Sequence, residues 1–321
     1  MEPQDIALFA IAAPLSSNIQ LSPTDAALYL EERGGRLFPK SSMVPYPLPV
    51  DDQERSRLRG QRAMLRSLAT SDHDCVNKLQ ESLHLATADE VIRVLDIGTG
   101  DGDWVMNMAA EFPKVYFYGT DIVPLFPRLT PPNVRFELQD VNAGPMYPPQ
   151  YMDLVHAQDV SLAVRNYFDF VEDTAWILKR GGLFCVSEWT RTIDASNGDV
   201  KERAPRACAF LEFLAAKLLR DLDVEPLMRS IVPAIHSSPR FLTEHTTVKV
   251  PIGDWPSSPF ERDLGLKCRL ILIAFAESAS LFLKQSVVPE VVDGLFHGFV
   301  HELQTVRGLT TAYYTATAIR L

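Results

Sequence analysis

Cysteine is scarce in this chain, with four residues in 321: Cys75, Cys185, Cys208 and Cys268. No C-x-x-C pair occurs, so neither a disulfide framework nor a thiolate zinc centre is expected, and the thiols read as reduced and intracellular. Positive charge is also in short supply. Thirty-one Lys and Arg face 41 Asp and Glu, for a net charge of −10. Such a chain lacks the basic face that nucleic acid requires. No apolar stretch approaches membrane-spanning length. Ile6 to Ala13 is apolar but short, follows acidic residues and has no basic flank, so it does not read as a targeting segment. Repeats and low-complexity tracts are missing too. These absences point to a cytoplasmic protein with no metal, no nucleic acid and no membrane in its function.

Against that background one stretch carries most of the information. Val91-Ile92-Arg93-Val94-Leu95-Asp96-Ile97-Gly98-Thr99-Gly100-Asp101-Gly102 reads as a buried strand running into a glycine-rich turn and then a helix, a geometry that cradles a nucleoside-containing cofactor. Gly98 and Gly100 supply positive φ and a backbone without Cβ in the ligand's way. A dinucleotide site would prefer G-x-G-x-x-G with a pyrophosphate on the helix N-terminus. Here Asp101 and Asp103 occupy the first helical turn. They would repel a pyrophosphate and tolerate a sulfonium and an ammonium group, although both can also serve only the helix dipole.

The following elements keep the same logic. Asp103 to Phe112 reads as a helix with Trp104, Met108 and Phe112 on its buried stripe, stopped by Pro113. Val115 to Asp121 reads as a second strand. Its final carboxylate lies about twenty residues past the glycines, where it can accept bonds from both ribose hydroxyls. Val134 to Leu138 alternates as a half-exposed strand; Asp140 after it can accept an adenine amino group, or merely start a turn, and Val141 can pack on the ring. Met152 to Ala157 is a fourth strand ending near Gln158. Phe168 to Lys179 reads as a helix closed by Arg180-Gly181-Gly182, before a fifth strand over Leu183 to Glu188.

The flanks divide accordingly. An N-terminal helical and lid segment over 1–85 precedes a cofactor-binding core over 86–190. A helical insertion over 191–240 follows, and 241–321 completes the sheet. In the first segment, Ser22-Pro23-Thr24-Asp25 opens a helix and Gly34-Gly35 closes it. Pro45, Pro47 and Pro49 then mark an extended linker. Ala207 to Leu222 and Arg269 to Lys284 are apolar helices that roof a pocket, form a homodimer contact or simply pack a core. A strand near Thr246 to Val250 and a closing strand over Thr310 to Leu321 end the pattern.

These motifs together resemble class I S-adenosylmethionine-dependent methyltransferases, and more narrowly the fungal secondary-metabolism methyltransferases of the LaeA-like type. The likeness spans roughly residues 40 to 255. It rests on Asp51 to Gln61, the glycine turn, Glu111-Phe112-Pro113, Tyr118-Gly119-Thr120-Asp121-Ile122 and Pro131 to Glu137. Met152 to Ala157, Leu178 to Gly182 and, more weakly, Pro251 to Pro256 add to it. The resemblance implies an α/β fold: a Rossmann-like, seven-stranded, mostly parallel sheet with helices on both faces, an N-terminal helical lid and a helical insertion after strand 5. It also implies roles. Asp96, Gly98 and Gly100 would surround the methionine end of S-adenosyl-L-methionine, Asp121 and Ile122 would hold ribose and adenine, and Asp140 with Val141 would read the adenine edge. Ala157 and Gln158 would line the methionine side, under a lid over Tyr46 to Gln61. The chain departs from the family at Arg62, where His is usual, and at Gln158, where Arg is usual.

Methyl transfer from a sulfonium needs alignment more than a strong base. A carboxylate acceptor needs no base, whereas a phenol or enol benefits from one. His156, His236 and Glu188 are the candidates, His156 inside a strand pattern and none assigned as catalytic. The expected function is O-methylation (carboxyl, enol or phenol) of a small-molecule secondary metabolite. The alternative is a regulatory, methyltransferase-like protein acting through protein partners, and a nucleotide-dependent oxidoreductase is the remote third reading.

Overall fold

Short runs rich in β-branched and aromatic residues assemble the centre of the molecule as a sheet. The computed structural model describes residues 28–40, 46–68, 76–81, 90–226 and 230–321. Five strands run parallel: β3 (Arg93–Ile97), β4 (Tyr116–Asp121), β5 (Val134–Leu138), β6 (Met152–Gln158) and β7 (Leu178–Trp189). The antiparallel β10 (Leu309–Arg320) lies between β7 and β9 (Phe241–Pro251). The two-residue β8 (Asp194–Ala195) pairs with the first residues of β10. The spatial order is therefore β5-β4-β3-β6-β7-β10, with β9 outermost. It reverses direction between β3 and β6, the switch point outside which open α/β sheets bind their ligands.

Helices cover both faces, as the sequence pattern implies. Helix α2 (Asp103–Glu111) buries Val105, Met108 and Ala109 against Val94, Phe117 and Leu154. Trp104 turns inward at the edge of that stripe. On the opposite face, α3 (Tyr167–Ile177) and α6 (Ile231–Ser237) pack Phe170, Val171 and Ile235 on Val155, Phe184 and Tyr314. A third core is mostly helical. There α5 (Pro205–Leu222), α7 (Pro259–Leu283) and α8 (Pro289–Thr305) enclose Phe210, Leu214, Phe275 and Phe299 together with Trp189 and Tyr313 of the sheet. The single turn α4 (Val200–Arg203) leads into α5. Both apolar helices singled out in the sequence, α5 from the insertion and α7 from the C-terminal region, thus pack this core. One of them, α7, also reaches the lid helix α1 (Asp52–Arg66).

Three boundaries differ from the sequence reading, each for a local reason. Gly34-Gly35 does not close a helix. It is the two-residue turn of a hairpin between β1 (Leu30–Arg33) and β2 (Arg36–Pro39), with both glycines at positive φ (56° and 75°), as hairpins joined by two residues require. The proposed helix start at Ser22 lies outside the described residues. Helix α3 ends at Ile177, because β7 begins at once with Leu178. Lys179 belongs to that strand and pairs with Asp153, 2.6 Å away, so Gly181-Gly182 punctuates a strand irregularity rather than a helix end. Helix α7 starts ten residues before Arg269, behind Pro259 and the cap of Ser258; the charged Glu261, Arg262 and Asp263 of its first turns hide its apolar period.

Candidate active site

The glycine turn, the carboxyl ends of β4 and β6 and the lid helix enclose one cavity. About 150 Å³ of it is open to the centre of a water molecule, roughly ten times what a single water needs, so it is built for a ligand. Its floor is the turn after β3. Gly98 sits at φ 70°, and a Cβ there would lie 2.6 Å from Cγ1 of Val160, on the segment after β6. Any side chain at Gly98 would thus strain the turn and push the two strand ends apart. Asp121, at the end of β4, holds the turn from the side. Its Oδ2 accepts from the Gly100 N–H at 2.8 Å and its Oδ1 from the Val123 N–H at 3.1 Å. Burial raises its pKa, with Asp96 adding to the rise, and the N–H groups of Val123, Gly100 and Ile122 oppose it.

Helix α1 forms the roof. Arg59 and Arg62 reach down to Asp101 at 3.2 and 3.5 Å, so that carboxylate is neutralised by the lid and does not face the cavity as a bare charge. A second polar chain fixes the lid from the inside. Ser278 of α7 donates to Glu54 Oε2 at 2.8 Å, Arg57 donates to Glu54 Oε1 at 2.8 Å and to Gln61 Oε1 at 2.7 Å, and Gln61 Nε2 donates to Asp159 Oδ2 at 2.7 Å. Glu54, Arg57 and Gln61 are all at most 5% exposed. A buried ion pair joined end to end by hydrogen bonds has specific geometry and is costly to break, so the lid is bolted to α7 rather than loosely laid over the site.

The sequence candidates separate clearly. Gly98, Gly100, Asp121, Ile122, Val141 and Gln158 line the cavity. Asp96, Asp140 and Ala157 stand behind its wall. Asp96 is buried and bonded to Nδ1 of His156 at 2.7 Å, and that imidazole stacks on Trp104 with centroids 4.1 Å apart. The pair lies in register between β3 and β6, inside the core and away from the cavity lining. Asp140 spends its carboxylate capping the 3-10 turn Val141–Ala143, accepting from the backbone and side chain of Asn142. The neighbouring Gln139 lines the cavity in its place. Ala157 is fully buried within β6. His236 is likewise remote: it meets Tyr314 Oη at 3.3 Å and the ring of His245, with its pKa lowered by burial and by His245.

Sequence reasoning named Glu188 as a candidate base but missed its neighbours Asp159 and Arg191, just past the ends of β6 and β7. Asp159 lines the cavity, Glu188 accepts from the Val160 N–H at 2.8 Å, and Arg191 donates to Ser161 at 2.6 Å. Asp159 and Arg191 both have positive φ (55° and 52°), uncommon for residues other than glycine and frequent at functional sites. Burial raises the pKa of Asp159, opposed by Arg57, Gln61, Arg62 and Arg191. Burial, reinforced by Asp159, pushes Glu188 up to about 8. The one sequence signal for this group was its position at strand ends.

Comparison with known proteins agrees with this geometry. Residues 71–225 match the model of a family described as a methyltransferase domain. Methyltransferase pytC of Aspergillus terreus is 28% identical over 258 residues, covering 78% of this chain and 75% of its own length. The secondary metabolism regulator laeA of Coprinopsis cinerea is 32% identical over 184 residues, covering 56% and 44%. The N-methyltransferase sirN of Leptosphaeria maculans is 32% identical over 161 residues, covering 46% and 53%.

Proposed function

The chain is an S-adenosylmethionine-dependent methyltransferase related to those of fungal secondary metabolism, and from that premise we propose that it methylates an oxygen atom of a small secondary metabolite. The cavity at the β3/β6 switch point carries the reading. Its floor at Gly98 is a tight turn packed on Val160, where a Cβ would collide. Its acidic lining residues, Asp121 and Asp159, suit a cofactor bearing a sulfonium charge. Asp121 serves ribose, Ile122 and Val141 flank adenine, and Gly98, Gly100 and Gln158 border the methionine portion. Asp96, Asp140 and Ala157 act from behind that wall: Asp96 fixes His156, Asp140 shapes the turn bearing Val141, and Ala157 packs the end of β6.

The bound cofactor supplies a methyl group on a sulfonium leaving group, so the protein's work is alignment and exclusion of water. Between its charged residues the cavity has apolar walls from Tyr46, Leu58, Leu125, Met146 and Phe170, as a small organic acceptor would need. Free cysteines at 185, 208 and 268 fit a cytoplasmic site of action. Among the described residues no helix is long and apolar enough to cross a membrane.

The test is incubation of the protein with trideuteromethyl-labelled S-adenosylmethionine and a metabolite extract from a host lacking it. A labelled small molecule is expected, with the label on oxygen. The likeness to a secondary metabolism regulator supports the alternative, in which the chain acts through protein partners. Labelled protein, or a stable complex with no labelled metabolite, would establish that reading instead.

A further inference from the structure

We propose that the Asp159 carboxylate faces the methyl group to be transferred and takes the proton from a neutral hydroxyl acceptor, so that the substrate is a phenol or enol rather than a carboxylic acid. The inference rests on the cofactor reading above and names the acceptor class for that site. Asp159 directly follows the last residue of β6, across the switch point from the glycine turn, and its neighbour Val160 is the residue that a Cβ on Gly98 would strike. Its carboxylate therefore lies beside the floor of the cavity and opens into it. Among the described residues only Gln61 bonds it, through Oδ2, which leaves Oδ1 for a ligand. The backbone holds this side chain in place at a cost, since φ is 55°.

The groups around Asp159 set its charge. Arg57 and Arg62 face it from α1, and Arg191 from the loop after β7. Arg57 is already committed to Glu54, and Arg62 to Asp101. Glu188 faces it from β7, its own pKa pushed up by burial and by Asp159. Tyr46, Tyr167 and Tyr313 complete the surround as neutral phenols with raised pKa. The Gln61 amide that donates to Asp159 and the three guanidinium groups around it favour its carboxylate form, while burial raises its basicity. An acceptor that was itself a carboxylate would place a second negative charge against it in a buried site, an arrangement that ionises poorly. A hydroxyl would donate to it. As the acceptor oxygen's lone pair forms the new C–O bond and the C–S pair returns to sulfur, the hydroxyl proton passes to Asp159 Oδ1 and afterwards to water. The carboxylate is regenerated and charge balances.

Sinefungin tests this without the natural acceptor, because it carries an amine where S-adenosylmethionine carries the transferable methyl, while S-adenosylhomocysteine carries nothing there. Titration calorimetry is expected to show sinefungin binding the wild-type chain roughly tenfold more tightly than S-adenosylhomocysteine, the worth of one charge-assisted hydrogen bond. Asp159→Asn is expected to bring that ratio close to one while leaving the affinity for S-adenosylhomocysteine within about twofold. Asn tolerates positive φ and its amide oxygen still accepts from Gln61, so the backbone is preserved. In the wild type the preference is expected to fade as pH drops through the carboxylate range, and this titration decides the matter even if the variant fails to fold. A ratio unchanged by the substitution, a parallel loss of both affinities, or a pH-independent preference would overturn the inference. Equal wild-type affinities would overturn it alone, and binding of neither compound would overturn the cofactor reading with it.

Discussion

Asp121→Ala separates two roles that one carboxylate is asked to fill. In the ligand-free chain its oxygens accept from the Gly100 and Val123 N–H groups. Gly100 faces the cavity, where water can replace the lost acceptor, but Val123 is 2% exposed and its N–H would be left buried and unpaired. The substitution should therefore cost about 1–3 kcal/mol of stability, read by urea unfolding. The proposed ribose contact adds a separate loss. Hydrogen bonds to a charged acceptor contribute about 1.5–3 kcal/mol, so the affinity for S-adenosylhomocysteine should fall roughly ten- to a hundredfold in titration calorimetry. Asp121→Asn keeps one acceptor oxygen and should recover part of the stability but less of the affinity. A variant that is destabilised as expected yet binds the cofactor product within twofold of wild type would show that Asp121 only braces the glycine turn, and the ribose assignment would fall.

Further substitutions probe the rest of the site. Gly98→Ala forces a Cβ to within 2.6 Å of Val160 at φ 70°; folding should survive a penalty of about 1–2 kcal/mol, while calorimetry should show binding of S-adenosylhomocysteine weakened at least roughly tenfold. Wild-type affinity in that variant would remove the turn from the site. Arg57→Met leaves Glu54 buried without its cation and should cost about 3–5 kcal/mol in urea unfolding, with the double variant carrying Glu54→Gln recovering much of it; a single variant as stable as wild type would contradict the bolted lid. Glu188 has its pKa raised on folding from 4.5 to about 8, so the folded chain binds a proton there that the unfolded chain has lost, and stability should fall as pH rises through that window, by up to about 1.4 kcal/mol per unit. Glu188→Gln should flatten that slope, and an unchanged slope would place its origin elsewhere.

The sheet was legible because its signals are local. Buried strands closed by Asp or Gly, and a helix stopped by Pro113, state their identity within ten residues. The glycine turn and Asp121 were readable for the same reason: their spacing is fixed by one βαβ unit. Side-chain direction at strand ends was not readable. Asp96 and Asp140 sit at the expected chain positions, yet one turns to His156 and the other caps a 3-10 turn, because competing local hydrogen bonds decide where a carboxylate points. The lid chain through Glu54, Arg57 and Gln61 was not readable either, since its partners Ser278 and Asp159 lie 224 and 98 residues away along the chain. Asp159 itself gave no sign in sequence of its positive φ or of its coupling to Glu188.

The most direct measurement is titration of the purified chain with S-adenosylhomocysteine and, separately, with NAD. A cofactor cavity over the glycine turn predicts one saturable site for the thioether, lost in Gly98→Ala, and no heat with the dinucleotide. No heat and no thermal shift with S-adenosylhomocysteine, or binding of NAD in its stead, would contradict it.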